Sequence, residues 1–240
     1  MTSKVAIVTG ASSGIGLGLM KTLMERGYAI VATSREVSRK GTLAASATLV
    51  LLDGDVGEAQ TATCAVEAAV SNFGKLDLLV NNAGIFIPKP FTDYTTGDYA
   101  QLLATNLASF FHMTQVALRQ MVPQQSGHIF NIGASLAVQP IVGVPSALPI
   151  LIKGRIEAAT RSLATEYAAH GIQVNTVAAG IIDTPMHPKE KHGFLNGLSP
   201  ANRLGSVQEV VDAILYLDSA PFVPGEILHV DGGAHAGKWS

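Results

Sequence analysis

Two stretches of this chain carry residue types at spacings that can do chemistry. The first is TGASSGIG, residues 9–16, where a strand-like run meets a helix-like run. Gly10 permits a turn that a Cβ would obstruct. Gly14 and Gly16 let backbone approach a pyrophosphate and let the helix pack against its strand. A helix N-terminus placed there offers free N–H groups and the positive end of its dipole to phosphate oxygens. The spacing differs from the G-x-G-x-x-G fingerprint of other dinucleotide folds. The second stretch is GASLA, residues 133–137. It partly matches the G-x-S-x-G elbow of serine hydrolases, around Ser135, but lacks the final glycine. The seven histidines show no paired metal-ligand spacing, so no metal site is expected. Cys64, the single cysteine, cannot form an internal disulfide and reads as a small buried apolar residue in a reducing, cytoplasmic setting.

The elements that must position these stretches alternate between strand and helix. Strands are expected at 4–10, 28–34, 47–53, 76–82, 127–135, 171–180 and 226–233, with helices at 14–27, 59–74, 95–121, on to about His170, and near 207–219. This alternation predicts βαβ crossovers and a parallel sheet of about seven strands, whose apolar runs suit a sheet covered on both faces. The one long irregular stretch, 183–205, is rich in Pro, Gly and polar residues and is expected to form a loop over the substrate, a lid.

With 48% hydrophobic and 14% charged residues the chain is globular, not disordered. A formal charge of −2 gives no basic surface for nucleic acid and no polybasic tract for a membrane. The opening MTSKVAIVTG lacks the form of a signal peptide, and no apolar stretch is long enough to span a bilayer.

Taken in order, Gly10-x3-Gly14-x-Gly16, NNAG at 81–84, Asn106 in ATNLASFF, Lys153, GIQVNTVAAGIIDTPM at 171–186 and GEILHVDGG at 225–233 resemble the short-chain dehydrogenase/reductase family over nearly the whole chain. The resemblance implies one Rossmann-like, doubly wound α/β domain over 1–240, a nicotinamide cofactor, a small-molecule substrate and a homotetramer. It places Gly10, Ser12, Ser13, Gly14, Ile15 and Gly16 on the phosphates and Asp55 and Val56 at the adenine. Asn82, Ala83 and Gly84 line the cofactor, and Asn81 braces the sheet. Gly180, Ile182 and Thr184 lie at the nicotinamide end, and Lys153 bonds the nicotinamide ribose. NAD binders carry an acid at the end of the second strand. Here Ser34 stands at that place and Arg35 follows, a hydroxyl and a guanidinium that suit a 2′-phosphate and favour NADP over NAD.

The likeness breaks at the proton donor. The family's tyrosine, four residues before the lysine, is Pro149 here, and the serine position three after Asn131 is Ala134, with Ser135 one step late. Proline has no side-chain proton, disfavours helical geometry at Leu148, and fits only a helix's first turn, so the helix carrying Lys153 is expected to begin near Pro149. The catalytic candidates are therefore Asn106, Ser135 and Lys153. Ser146 and His187 are other possible donors, whose plainer readings are a helix cap and a solvent-facing ring. Three functions remain in view. One is an NADP(H)-dependent oxidoreductase of a small alcohol or carbonyl compound with an atypical site. Another is a catalytically silent NADP(H)-binding sensor or partner subunit. The remote third is a hydrolase using Ser135.

Overall fold

The computed structural model describes residues 3–237; residues 1–2 and 238–240 of the expected domain lie outside the described residues. Seven strands form one parallel sheet: β1 (Val5–Thr9), β2 (Ala29–Ser34), β3 (Leu49–Asp53), β4 (Leu78–Asn81), β5 (Gly127–Ala134), β6 (Ile172–Ala179) and β7 (Ile227–Val230). Their order in space is β3-β2-β1-β4-β5-β6-β7, and every pairing is parallel. The order reverses between β1 and β4, the crevice where open α/β sheets hold ligands beyond the carboxyl ends of their strands.

Five long helices cover the two faces. They are α1 (Gly14–Glu25), α2 (Ala59–Phe73), α3 (Thr96–Leu102) running on into α4 (Ser109–Gln124), α5 (Ala147–Tyr167) and, after a short α6 (His192–Asn196), α7 (Val207–Asp218). Alternate side chains of β1 go to opposite faces: Ala6 and Val8 join a core with Leu19, Leu23 and Ile214, while Val5 and Ile7 join one with Ala65, Met113 and Met121. That two-sided burial is why the strands read as continuous apolar runs.

Three expectations need correction. The expected helix over 95–121 is not one regular helix: residues Leu103–Ala108 form a π-turn between α3 and α4. The Lys153 helix starts at Ala147, near Pro149 as expected, but Leu148, expected to avoid helical geometry, is helical. Pro149 occupies the third helical position, where a backbone N–H has no intrahelical partner to lose, and the first helical bond runs from Ile150 N to Ser146 O. The stretch 183–205 is not wholly irregular, for it holds a 3₁₀ turn at Lys189–Lys191 and α6.

A polar chain crosses the middle of the sheet. Asn81 Nδ2 donates to Asn131 Oδ1 and Thr114 Oγ1, Asn131 Nδ2 donates to Thr160 Oγ1, and Thr160 and Thr176 share a hydrogen bond of 2.8 Å. Asn131 is buried, so Asn131→Leu strands donors and acceptors that water cannot reach. This substitution is expected to cost about 1–3 kcal/mol of unfolding free energy in a urea titration.

Candidate functional site

The phosphate turn is built by close backbone approach. Gly10 has φ +66°, and a Cβ there would stand 2.8 Å from Asn82 Nδ2 and 3.0 Å from Ala83 Cα. A Cβ on Gly16 would stand 2.5 Å from both Gly10 O and Asn82 Nδ2. Contact therefore requires glycine at both positions, and at Gly10 the conformation requires it too. Thr9 Oγ1 accepts the backbone N–H groups of Asn82 and Ala83 at 2.9 and 3.0 Å, and Asn82 Nδ2 donates to Thr9 O at 2.8 Å. These bonds tie the turn after β1 to the turn after β4. Ser13 is the N-cap residue of α1, and its side chain makes no capping bond, so it leaves the first-turn N–H groups open to an anion. Thr184 side-chain atoms lie within about 3.4 Å of where a Gly14 Cβ would stand, so the start of 183–205 meets the turn.

At the end of β2, Ser34 Oγ is buried without a hydrogen-bond partner, and Arg35 is exposed. An orphaned hydroxyl at this place and a cradle that a Cβ would fill are what a dinucleotide with a 2′-phosphate needs. After β3, Val56 is buried and Asp55 Oδ1 accepts Gly57 N, which sets the turn expected at the adenine. Gly180 packs against Asp231, with a Cβ there only 2.7 Å from Asp231 Cα, and Ile182 is buried and bridged to Gly205.

Asn106 and Lys153 come together. Asn106 sits in the π-turn, where the widened helix brings its amide to Ile85. Its Oδ1 accepts Ile85 N and its Nδ2 donates to Ile85 O, both at 2.9 Å. Lys153 Nζ donates to Ile132 O at 2.6 Å, and both side chains line one small pocket with Ala83 and Phe110. Gly84 leaves room for both: a Cβ there would stand 3.0 Å from Asn106 Oδ1 and 3.6 Å from Lys153 Nζ. The Lys153 ammonium is enclosed, and this loss of solvation brings its pKa down to about 8, against a smaller opposing pull from Glu157.

The other candidate donors are placed elsewhere. Ser135, a catalytic candidate from the sequence, is only 4% exposed and its hydroxyl donates to Ala178 O at 3.2 Å on the neighbouring strand. The one-step delay after Asn131 puts Ser135 past the end of β5, as the first residue of a 3₁₀ turn over Ser135–Ala137, where its hydroxyl turns to the β6 backbone. Ser146 takes the N-cap position of α5, but its hydroxyl donates to Val144 O and makes no capping bond. His187 is half-buried, with Nδ1 facing Ile182 O at 2.7 Å, so it does not simply face water. Pro149 is buried one turn before Lys153. Among the described residues no group of three His, Cys, Asp or Glu could hold a metal, and no helix is long and apolar enough to cross a membrane.

Residues 10–235 match a family model described as enoyl-(acyl carrier protein) reductase. Carbonyl reductase family member 4 of Xenopus laevis is 34% identical over 233 residues, which cover 96% of this chain and 98% of that protein. A short-chain dehydrogenase/reductase of Serratia marcescens, solved as a double mutant, superposes with a TM-score of 0.85 at 30% identity, covering 97% and 98% of the two chains. The chain belongs to the short-chain dehydrogenase/reductase family. ElxO with NADP bound superposes still better, with a TM-score of 0.91 at 27% identity, covering 99% of this chain and all of that one. The fold is thus the Rossmann-like fold of that family, and the chain is an oxidoreductase by kinship.

Some residues of the site carry no signal in the sequence pattern. Ile85 holds Asn106 through its backbone, which no side-chain pattern reveals. Ser38 and Asp53 shape the turn after β2, and Lys40 reaches Ser12 Oγ at 3.4 Å. The basic run in REVSRK is the one available signal for that turn. Because Ser135 is spent on Ala178, Ser135→Ala is expected to lower stability by about 1 kcal/mol and to leave NADPH affinity unchanged, measured by urea unfolding and by fluorescence titration.

Proposed function

We propose that this chain is an NADP(H)-dependent oxidoreductase that interconverts a small alcohol and its carbonyl compound, with Lys153 in place of a tyrosine as the proton-carrying group. The observation that carries this reading is the enclosed Lys153 ammonium beside Asn106, with a pKa near 8 and only one of its three protons committed, to Ile132 O. A group that titrates near working pH can both give and take a proton, which an ordinary lysine cannot do well. The cofactor preference is supported by the Ser34 orphan, by Arg35, and by the NADP-bound relative.

When bound, the cofactor supplies or accepts the hydride. The chain's own residues do the rest. Gly10, Ser12, Ser13, Gly14, Ile15 and Gly16 hold the phosphates on backbone N–H groups. Asp55 and Val56 bound the adenine, Asn82, Ala83 and Gly84 the middle, and Gly180, Ile182 and Thr184 the far end. Lys153 Nζ delivers a proton to the oxygen that gains charge, and the Asn106 amide fixes the backbone at Ile85 beside it. The stretch 183–205 closes over the substrate, with Phe194 and Met186 as exposed apolar side chains on offer. The assembly is a cytoplasmic homotetramer, for which the exposed Phe111 on α4 and Leu151 on α5 supply apolar contact area.

A silent NADP(H)-binding role is the second reading, favoured by the absence of any hydroxyl at Pro149 or Ala134. The hydrolase reading has little left: Ser135 Oγ is buried, and His235 contacts Asp231, not the serine.

Two outcomes test the proposal. Arg35→Ala is expected to weaken NADPH binding roughly tenfold and leave NADH binding unchanged, read by titration of cofactor fluorescence. In a screen of aldehydes and ketones, kcat/KM for NADPH-dependent reduction is expected to fall as pH rises through about 8, because Lys153 must be protonated to act as the acid. Tight NADPH binding with no turnover across the screen selects the silent role.

A further inference from the structure

The turn that follows β2 carries a second cation to the phosphate turn, and its place is set by an acid on the next strand. Val37 is fully buried in the core and anchors the turn from below. Asp53, the last residue of β3, anchors it from the side: it accepts both Ser38 N, at 2.9 Å, and Ser38 Oγ, and it stands 3.7 Å from Arg39 Nε. The backbone N–H groups of Arg39 and Lys40 both return to Glu36 O, which closes the turn. On the opposite side, Ala11 N donates to Thr33 O, so the phosphate turn and the end of β2 are held edge to edge. Lys40 spans the gap between them: its Nζ lies 3.4 Å from Ser12 Oγ and makes no salt bridge among the described residues. The partnerless Ser34 Oγ lies at the end of the same strand.

We propose that Lys40 is a second cation for the 2′-phosphate of NADP(H), opposite Arg35, and that Asp53 is a positioning residue that holds Lys40 there through Ser38. This rests on the NADP(H) reading above. It adds a residue on the phosphate-turn side, so the 2′-phosphate is held between two cations and the Ser34 hydroxyl. The role of Asp53 runs against simple electrostatics. A carboxylate near a phosphate repels it, so removing the charge alone would tighten NADPH binding. A positioning role predicts the opposite sign.

The test measures NADPH and NADH affinities by fluorescence titration for the wild type, Lys40→Gln, Asp53→Asn and Arg35→Ala. Lys40→Gln is expected to weaken NADPH roughly three- to tenfold, the effect of one exposed charge-assisted contact, with NADH unchanged. Asp53→Asn is expected to weaken NADPH in the same direction and spare NADH, and the unchanged NADH affinity shows that the fold survives. If Lys40→Gln leaves NADPH affinity intact while Arg35→Ala weakens it, the cofactor reading stands and the second cation is overturned. If Asp53→Asn tightens NADPH, the positioning role is overturned. A wild-type protein that prefers NADH overturns the cofactor reading and this inference with it.

Discussion

The structure depends on how closely two backbone turns approach at the reversal point of the sheet. Thr9 Oγ1 accepts two backbone N–H groups from the turn after β4, and Asn82 returns a bond to Thr9 O. That clasp draws Gly10 and Gly16 so near to Asn82 that no side chain fits at either glycine. Helix α1 therefore enters with its first N–H groups facing the crevice, and the crevice acquires a fixed positive lining without any charged residue. Everything proposed for the cofactor follows from this approach, and so does the position of Gly84, which leaves space for Asn106 and Lys153.

The chemical end of the crevice shows a different balance. Pro149 fits the first turn of α5 with no hydrogen bond lost, so the helix survives the loss of the tyrosine and still presents Lys153 one turn later. The ammonium is enclosed, bonded to one carbonyl, and titrates near 8. In the proposed mechanism, enclosure takes the place of a neighbouring phenol and the lysine itself is the group that moves a proton. Buried ammonium groups lose their charge more readily, which turns a structural cation into an acid of useful strength.

The fold is legible because two-sided burial writes itself as apolar strands between helical periods, and all seven expected strands are present. The glycine turn is legible because steric demands leave one residue type. Asn81 as a brace of the sheet is legible through the family resemblance. What fails has local causes. The bias against helix before proline disfavours helical geometry at Leu148, yet Leu148 is helical because packing with Leu102 and Ile152 outweighs that bias. Ser135 reads as a donor from its place near a strand end, but the strand stops at Ala134 and Ser135 enters a 3₁₀ turn that commits its hydroxyl to Ala178 O. The turn built by Ser38 and Asp53 joins residues fifteen apart across two strands, a pairing that no local pattern encodes.

The central claim is that Lys153 carries the proton, and its titration tests this most directly. In an NMR titration of lysine Cε resonances, the Lys153 signal can be assigned by its loss in Lys153→Arg. The account predicts a midpoint near 8. A midpoint at the ordinary lysine value of about 10.4 would contradict it, because the ammonium could not then exchange its proton at working pH.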